Sequence, residues 1–239
     1  MSADATRGMP SAANAIVILI PGLWMPDFVL WPAQRRLERA GYAVRRFAYP
    51  SWRRGLDANV AALARCLAAL PAAPATPIHL VGHSLGGLLI LQLLAHGAAA
   101  SIGRVVLLGS PALGSHGAER LLDSRWGTLL AGRTLADWRA ESQANSLADS
   151  LTNSRPALPR GIEIGVIAGT RGVGLGRLLG GLAQPNDGAV ALAETRLPEA
   201  ADFIALHVSH SGMLVSAACA GQVASFLESG RFIHAGVDA

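Results

Sequence analysis

The chain has 239 residues, 51% of them hydrophobic, with a mean hydropathy of +0.36; this supplies one large core and excludes a disordered chain. Its net charge of +4 rests on arginine alone, since no lysine occurs, and the arginines lack an aromatic stacking platform or a known binding signature, which argues against a nucleic-acid partner. The two cysteines, Cys66 and Cys219, read as small buried hydrophobes rather than a disulfide framework or a metal site.

Residues 1–14 are small, polar and patternless, and read as a flexible tail. The run from Ala15 to Ile20 is apolar on both faces, as a buried parallel strand requires, and Pro21-Gly22 closes it. It is too short for a signal-peptide core, and Leu85 to Ala95 is too short to span a bilayer. A soluble, cytoplasmic protein without a transmembrane segment is therefore expected.

A helix is predicted over Trp31 to Ala40, stopped by Gly41, and a more polar strand over Tyr42 to Tyr49. Seven arginines fall between Arg35 and Arg54. They read as a solvated face, with an anion-facing patch as the alternative. Asp57 can cap a helix from Ala58 to Leu70. Strands follow at Ile78 to Val81, Arg104 to Leu108, Gly161 to Ala168 and Asp202 to Val208, with helices at Leu85 to His96 and Gly212 to Leu227.

This alternation predicts an α/β fold: about six mostly parallel strands with helices on both faces. A single domain is expected over residues 15–230, with a tail at 231–239. Residues 111–160 show no clear strand. Short helices at Gly117 to Leu130 and Leu135 to Leu147 would make a small helical cap there, or an ordinary crossover.

Gly82-His83-Ser84-Leu85-Gly86 matches G-x-S-x-G and lies between a predicted strand and a predicted helix, the context that gives the pattern meaning. Glycines let the neighbouring chain pass a sharp turn, and the serine then projects at a helix N-terminus, where partial positive charge favours a developing anion. A serine hydroxyl is a weak nucleophile and needs a base. Of seven histidines, His79 reads as structural, His83 lies in the turn with its side chain aimed elsewhere, and His96 suits a helix end. His210 is favoured as the base because it sits in a loop beyond the last strand; His207, near the end of that strand, is the alternative.

The acid should lie between Ser84 and the histidine. Asp187, in the turn Gln184-Pro185-Asn186-Asp187-Gly188, fits best. Asp123 and Asp137 are rivals, and Glu163 starts its strand at the wrong end of the sheet. The oxyanion donors would be the N–H groups of Leu85 and Leu23, with Gly22 permitting close approach. Trp24 and Met25 would line the mouth, or merely pack.

These pieces resemble the α/β-hydrolase superfamily, and within it the compact bacterial lipases and esterases. Ile20-Pro21-Gly22-Leu23-Trp24, Gly82 to Gly87, Leu107-Leu108-Gly109-Ser110-Pro111, Asn186-Asp187-Gly188 and His210 to Leu214 carry the likeness. Pro21 stands where the family more often has histidine, and the usual leading antiparallel strands look absent. The resemblance implies an α/β-hydrolase fold and carboxylic ester hydrolysis without metal or cofactor, and the apolar face of the expected cap (Leu121, Leu122, Trp126, Leu129, Leu130) adds a small-molecule ester with an apolar acyl group. Ser84, His210 and Asp187 would form the triad, with Trp126 of the cap beside the acyl pocket. The alternatives are an acyltransferase or thioesterase on the same triad, or an inactive binding protein on the scaffold.

Overall fold

A computed structural model describes residues 15–70, 76–97, 102–112, 132–141, 143, 158–159, 161–173 and 182–234. The six predicted strands all form: β1 (Ile16–Ile20), β2 (Ala43–Arg46), β3 (Ile78–His83), β4 (Ile102–Leu108), β5 (Glu163–Gly169) and β6 (Asp202–Leu206). They make one wholly parallel sheet in the order β2-β1-β3-β4-β5-β6. The chain winds outward from β1 to β2, then restarts on the other side of β1. That reversal leaves a crevice between the ends of β1 and β3, where open α/β sheets bind ligands.

The side-chain period of two sorts the strand residues between two layers. Val17, Leu19, Val81, Leu108 and Ile167 pack under one face with α1 (Trp31–Arg39) and the last helix. Ile18, Ile20, Leu80, Leu107 and Val166 pack under the other, with α2 (Leu56–Ala68) and α3 (Leu85–Ala95). Because both faces are covered, the central strands are apolar at nearly every position. Phe226 of the last helix is fully buried, so truncating it to alanine would cost about 3–5 kcal/mol.

Several local expectations change in three dimensions. Asp57 does not cap α2; it lies inside the first turn, after the N-cap Gly55. The cap comes from far away, as the Leu56 N–H donates to Asp137 Oδ2 at 3.0 Å. Asp137 belongs to α4 (helical residues 132–141), which lies within the stretch expected to form a cap. Thr134 of α4 donates through Oγ1 to the Arg54 carbonyl, and Asn59 of α2 donates to that same hydroxyl. A short helix, α5 (Leu192–Thr195), was not anticipated.

The closing helix is split. Ser211–Leu214 is a 3-10 turn, and α6 (Ala217–Ser229) starts afresh with the Ser216 hydroxyl accepting from the Cys219 N–H. Residues 231–234, expected in the tail, are tied to the core instead. Phe232 is buried against Phe226, and its N–H donates to Asp202 Oδ2. Both cysteines are free, and burial pushes the Cys219 thiol up to about 12. Among the described residues, no helix is long and apolar enough to cross a membrane.

Candidate active site

The strands end together at one edge of the sheet, and Ser84 stands there immediately after β3. Its backbone adopts φ 53° and ψ −121°, a conformation uncommon for a residue with a side chain. Two forces hold it. The Ser84 N–H donates to the Leu108 carbonyl at 2.9 Å, and α3 begins at the next residue. The turn is too tight for side chains beside it. A Cβ on Gly82 would lie 2.6 Å from the Gly87 backbone, and one on Gly86 would lie 2.5 Å from the Ile20 carbonyl oxygen. The glycines of the motif are therefore required by close approach of three chain segments.

The loop after β1 closes over the serine from the other side of the crevice. A Cβ on Gly22 would lie 3.0 Å from the Ser84 Cβ and 3.1 Å from His83 Nδ1, so a side chain there would crowd the Ser84 turn. Leu23 is half-buried and packs with Leu85, Leu88 and Leu135, which joins this loop to the start of α3 and to α4. Among the described residues, neither the Leu23 nor the Leu85 N–H has a hydrogen-bond partner. For Leu85 this follows from its place in the first turn of a helix. Trp24 is 48% exposed at φ 58°, and its N–H donates to Ser51 Oγ at 3.2 Å. Met25 packs at the edge of the α1/α6 layer.

Asp187 is completely buried. One carboxylate oxygen, Oδ1, accepts from the Ala189 and Val190 N–H groups at 2.9 and 2.8 Å, within a turn that Gly188 completes at φ +95°. The other, Oδ2, lies 2.7 Å from His210 Nδ1. A carboxylate only accepts, so Nδ1 carries the hydrogen and Nε2 keeps its lone pair. The His210 N–H also donates to the Asp187 carbonyl at 2.9 Å.

Two further glycines make room for this pair. A Cβ on Gly109, at the end of β4, would stand 3.0 Å from Asp187 Oδ2 and 3.2 Å from His210 Nδ1; one on Gly169, ending β5, would stand 2.7 Å from the Asp187 Cβ. Neither glycine is marked for this role by the sequence around it.

The rivals fall elsewhere. Asp137 caps α2, and Glu163 pairs with Arg104 at the opposite end of the sheet, 2.7 Å apart. His207 is exposed. His79 is structural, its Nδ1 accepting the Arg104 N–H; burial, with Arg104 nearby, lowers its pKa to about 4. Asp123 and Trp126 lie outside the described residues. Among the described residues no cluster of His, Cys, Asp or Glu could hold a metal ion.

His83, expected to point away from the chemistry, points into the support of His210. Its Nε2 lies 3.0 Å from the His210 carbonyl oxygen, and the two rings are 4.6 Å apart. Burial, reinforced by His210, lowers its pKa to about 3. The sequence signal was present: a polar ring in a strand whose neighbours are apolar on both faces needs a partner.

Similarity to known proteins agrees with this architecture. The mature form of the Bacillus licheniformis lipase BlEst2 superposes with a TM-score of 0.68 at 21% identity, covering 92% of this chain and 93% of that one. A metagenomic carboxyl esterase, MGS0156, gives 0.63 at 22% identity over 84% of this chain and 65% of its own. The type II thioesterase BorB from the borrelidin biosynthetic cluster gives 0.58 at 18% identity, with coverage of 91% and 92%. Identities this low speak for the fold alone. No match is found among curated proteins. The sequence itself matches the alpha/beta hydrolase family from residue 17 to residue 204, a span that runs from β1 through the Ser84 and Asp187 turns into β6. The chain belongs to the alpha/beta hydrolase family.

Proposed function

We propose that this hydrolase cleaves carboxylic esters through an acyl-enzyme on Ser84. The observation that carries the reading is the buried Asp187 carboxylate 2.7 Å from His210 Nδ1, at the sheet edge that also presents Ser84 in its strained turn. Asp187 fixes the imidazole tautomer and stabilises the imidazolium that forms. Ser84 Oγ attacks the ester carbonyl carbon while His210 Nε2 takes its proton. The tetrahedral oxyanion accepts from the Leu23 and Leu85 N–H groups. As the carbon–oxygen bond breaks, His210 returns the proton to the leaving alcohol. Water then repeats the sequence on the acyl-enzyme and releases the acid. Nothing in this scheme requires a metal or cofactor.

The acyl group is apolar in this reading. Gly22, Trp24 and Met25 border the entrance on one side, and Leu23, Leu85, Leu88 and Leu135 form an apolar cluster beside it. Trp126 is proposed to complete the pocket as part of a cap over residues 111–160.

A thioesterase is the second reading. Arg53, Arg54 and Arg133 line an open groove of about 680 Å³ at the start of α2, suited to a phosphate-bearing carrier. Asp57, Asp137 and Glu141 share that groove and weaken the case. A panel of p-nitrophenyl esters run beside acyl-CoA substrates, with Ser84→Ala as the blank, decides between them. The proposal expects simple esters to be turned over with kcat/KM at least equal to that for acyl-CoA of the same chain length. A strong preference for acyl-CoA would replace it with the thioesterase.

A further inference from the structure

His83 is the last residue of β3 and 1% exposed. Its side chain enters the α1/α6 layer, bordering a small apolar cavity with Leu19, Leu108, Met213 and Leu214. Packing alone does not ask for an imidazole there, since an apolar residue would avoid the cost of burying two ring nitrogens. One nitrogen, Nε2, meets the His210 carbonyl oxygen at 3.0 Å. The other, Nδ1, is buried with no partner among the described residues. A neutral imidazole has one donor and one acceptor. A carbonyl oxygen accepts only, so the hydrogen must be on Nε2 and the orphan Nδ1 is a bare lone pair. Leaving that acceptor unpaired costs stability, so the polar contact this ring contributes is the bond at Nε2.

What Nε2 does is complete the fixation of His210. The His210 N–H and Nδ1 both go to Asp187, on one side of the residue. Its carbonyl has no such anchor on that side, and the Met213 N–H, which follows along the 3-10 turn, goes to the Ser209 carbonyl instead. His83 supplies the opposing hold. It is also joined to Ser84 by one peptide bond, within the turn that the Ser84 N–H bond to Leu108 fixes.

We propose that His83 is a positioning residue: its Nε2–H, donated to the His210 carbonyl, ties the backbone of the base to the turn that carries the nucleophile. This rests on the reading of Ser84 and His210 as nucleophile and base. In that reading, a base displaced by a fraction of the bond's length is worse placed to take the Ser84 Oγ proton, a loss that falls on kcat rather than on KM.

The test compares wild type, His83→Phe and His83→Gln, with Ser84→Ala as the blank, in ester hydrolysis per active site titrated by a fluorophosphonate. Phenylalanine keeps the ring and removes the donor; glutamine carries an N–H donor at the same number of bonds from the backbone. His83→Phe is expected to lower kcat by about ten- to a hundredfold, with KM changed by less than about twofold, and His83→Gln to recover most of the loss. Wild-type kcat in His83→Phe, or glutamine no better than phenylalanine, overturns the proposal. Should His83→Phe fail to fold, nitrogen-15 NMR of histidine-labelled wild type decides, with His83→Gln giving the assignment. A neutral Nε2–H tautomer at pH 7 is expected, and an Nδ1–H tautomer overturns the proposal. Turnover surviving in Ser84→Ala would overturn the parent reading instead, and is told apart by occurring with His83 intact.

Discussion

His210 is bound to Asp187 twice, by its ring Nδ1 to Oδ2 at 2.7 Å and by its backbone N–H to the Asp187 carbonyl at 2.9 Å. The double tie makes the loop after β6 and the turn after β5 one unit. It separates Asp187 from Asp137, which caps α2, and from Glu163, which pairs with Arg104.

Asp187→Asn should lower kcat by about 10⁴-fold, because an amide favours the wrong imidazole tautomer. Asp137→Ala should leave kcat unchanged and cost about 1 kcal/mol in stability, the usual loss for a helix cap. Steady-state kinetics and urea unfolding of both variants check this. A large kcat loss in Asp137→Ala with little in Asp187→Asn would exchange their roles.

The two histidines near the end of β6 should separate as sharply. His210→Ala removes the imidazole that Asp187 holds and should approach the loss expected for Ser84→Ala, on the order of 10⁶ in kcat. His207 is exposed, and His207→Ala should stay within about twofold of wild type, as surface changes usually do. The reverse ranking in the same ester assay would move the base to His207.

Gly109→Ala tests the space around Asp187 and His210. Its φ of +56° already disfavours a side chain, and the added Cβ would crowd Asp187 Oδ2, His210 Nδ1 and the Met213 Cε. We expect a loss of kcat beyond any fall in melting temperature. Gly41→Ala is the control: its φ is +96°, but a Cβ there meets nothing within 4 Å. It should lose stability alone. Equal kinetics in the two variants would show that the crowding is harmless.

Acid should destabilise the fold from an unusually high pH. His79 and His83 are held to about 4 and about 3 by burial, against an ordinary value near 6.5. Between those values the unfolded chain binds protons that the folded one refuses, so stability falls as pH drops below about 6.5. Each unit of that difference corresponds to about 1.4 kcal/mol. Urea midpoints at pH 7.5, 6, 5 and 4.5 should decline steadily. A flat series would mean that both rings protonate freely in the folded state.

Much of this was legible along the chain because its causes are local. The runs Ala15–Ile20 and Ile78–Val81 mark strands covered on both faces, and Gly82, Ser84 and Gly86 mark a turn whose close backbone approaches leave no room for a Cβ at either glycine. Asn186-Asp187-Gly188 reads as a turn, and it is one. The missed features depend on residues distant in sequence. Asp57 has the residue type of a cap, but Asp137, 81 positions beyond Leu56, takes that place. Val215 and Ser216 continue a helical pattern, yet the chain breaks there and α6 starts afresh on the Ser216 hydroxyl cap. Phe232 looks like tail until Phe226 and Asp202 are placed beside it. Nor could position 83 reveal its partner, since His210 lies 127 residues further on.

The central claim is that Ser84 is the nucleophile of an acyl-enzyme. The most direct measurement is the intact mass of the folded protein after reaction with a fluorophosphonate, with the modified peptide then mapped. One adduct on Ser84 is predicted, with esterase activity lost in proportion to labelling and no adduct on a folded Ser84→Ala variant. Labelling at another residue, or full ester turnover by Ser84→Ala, would contradict the account.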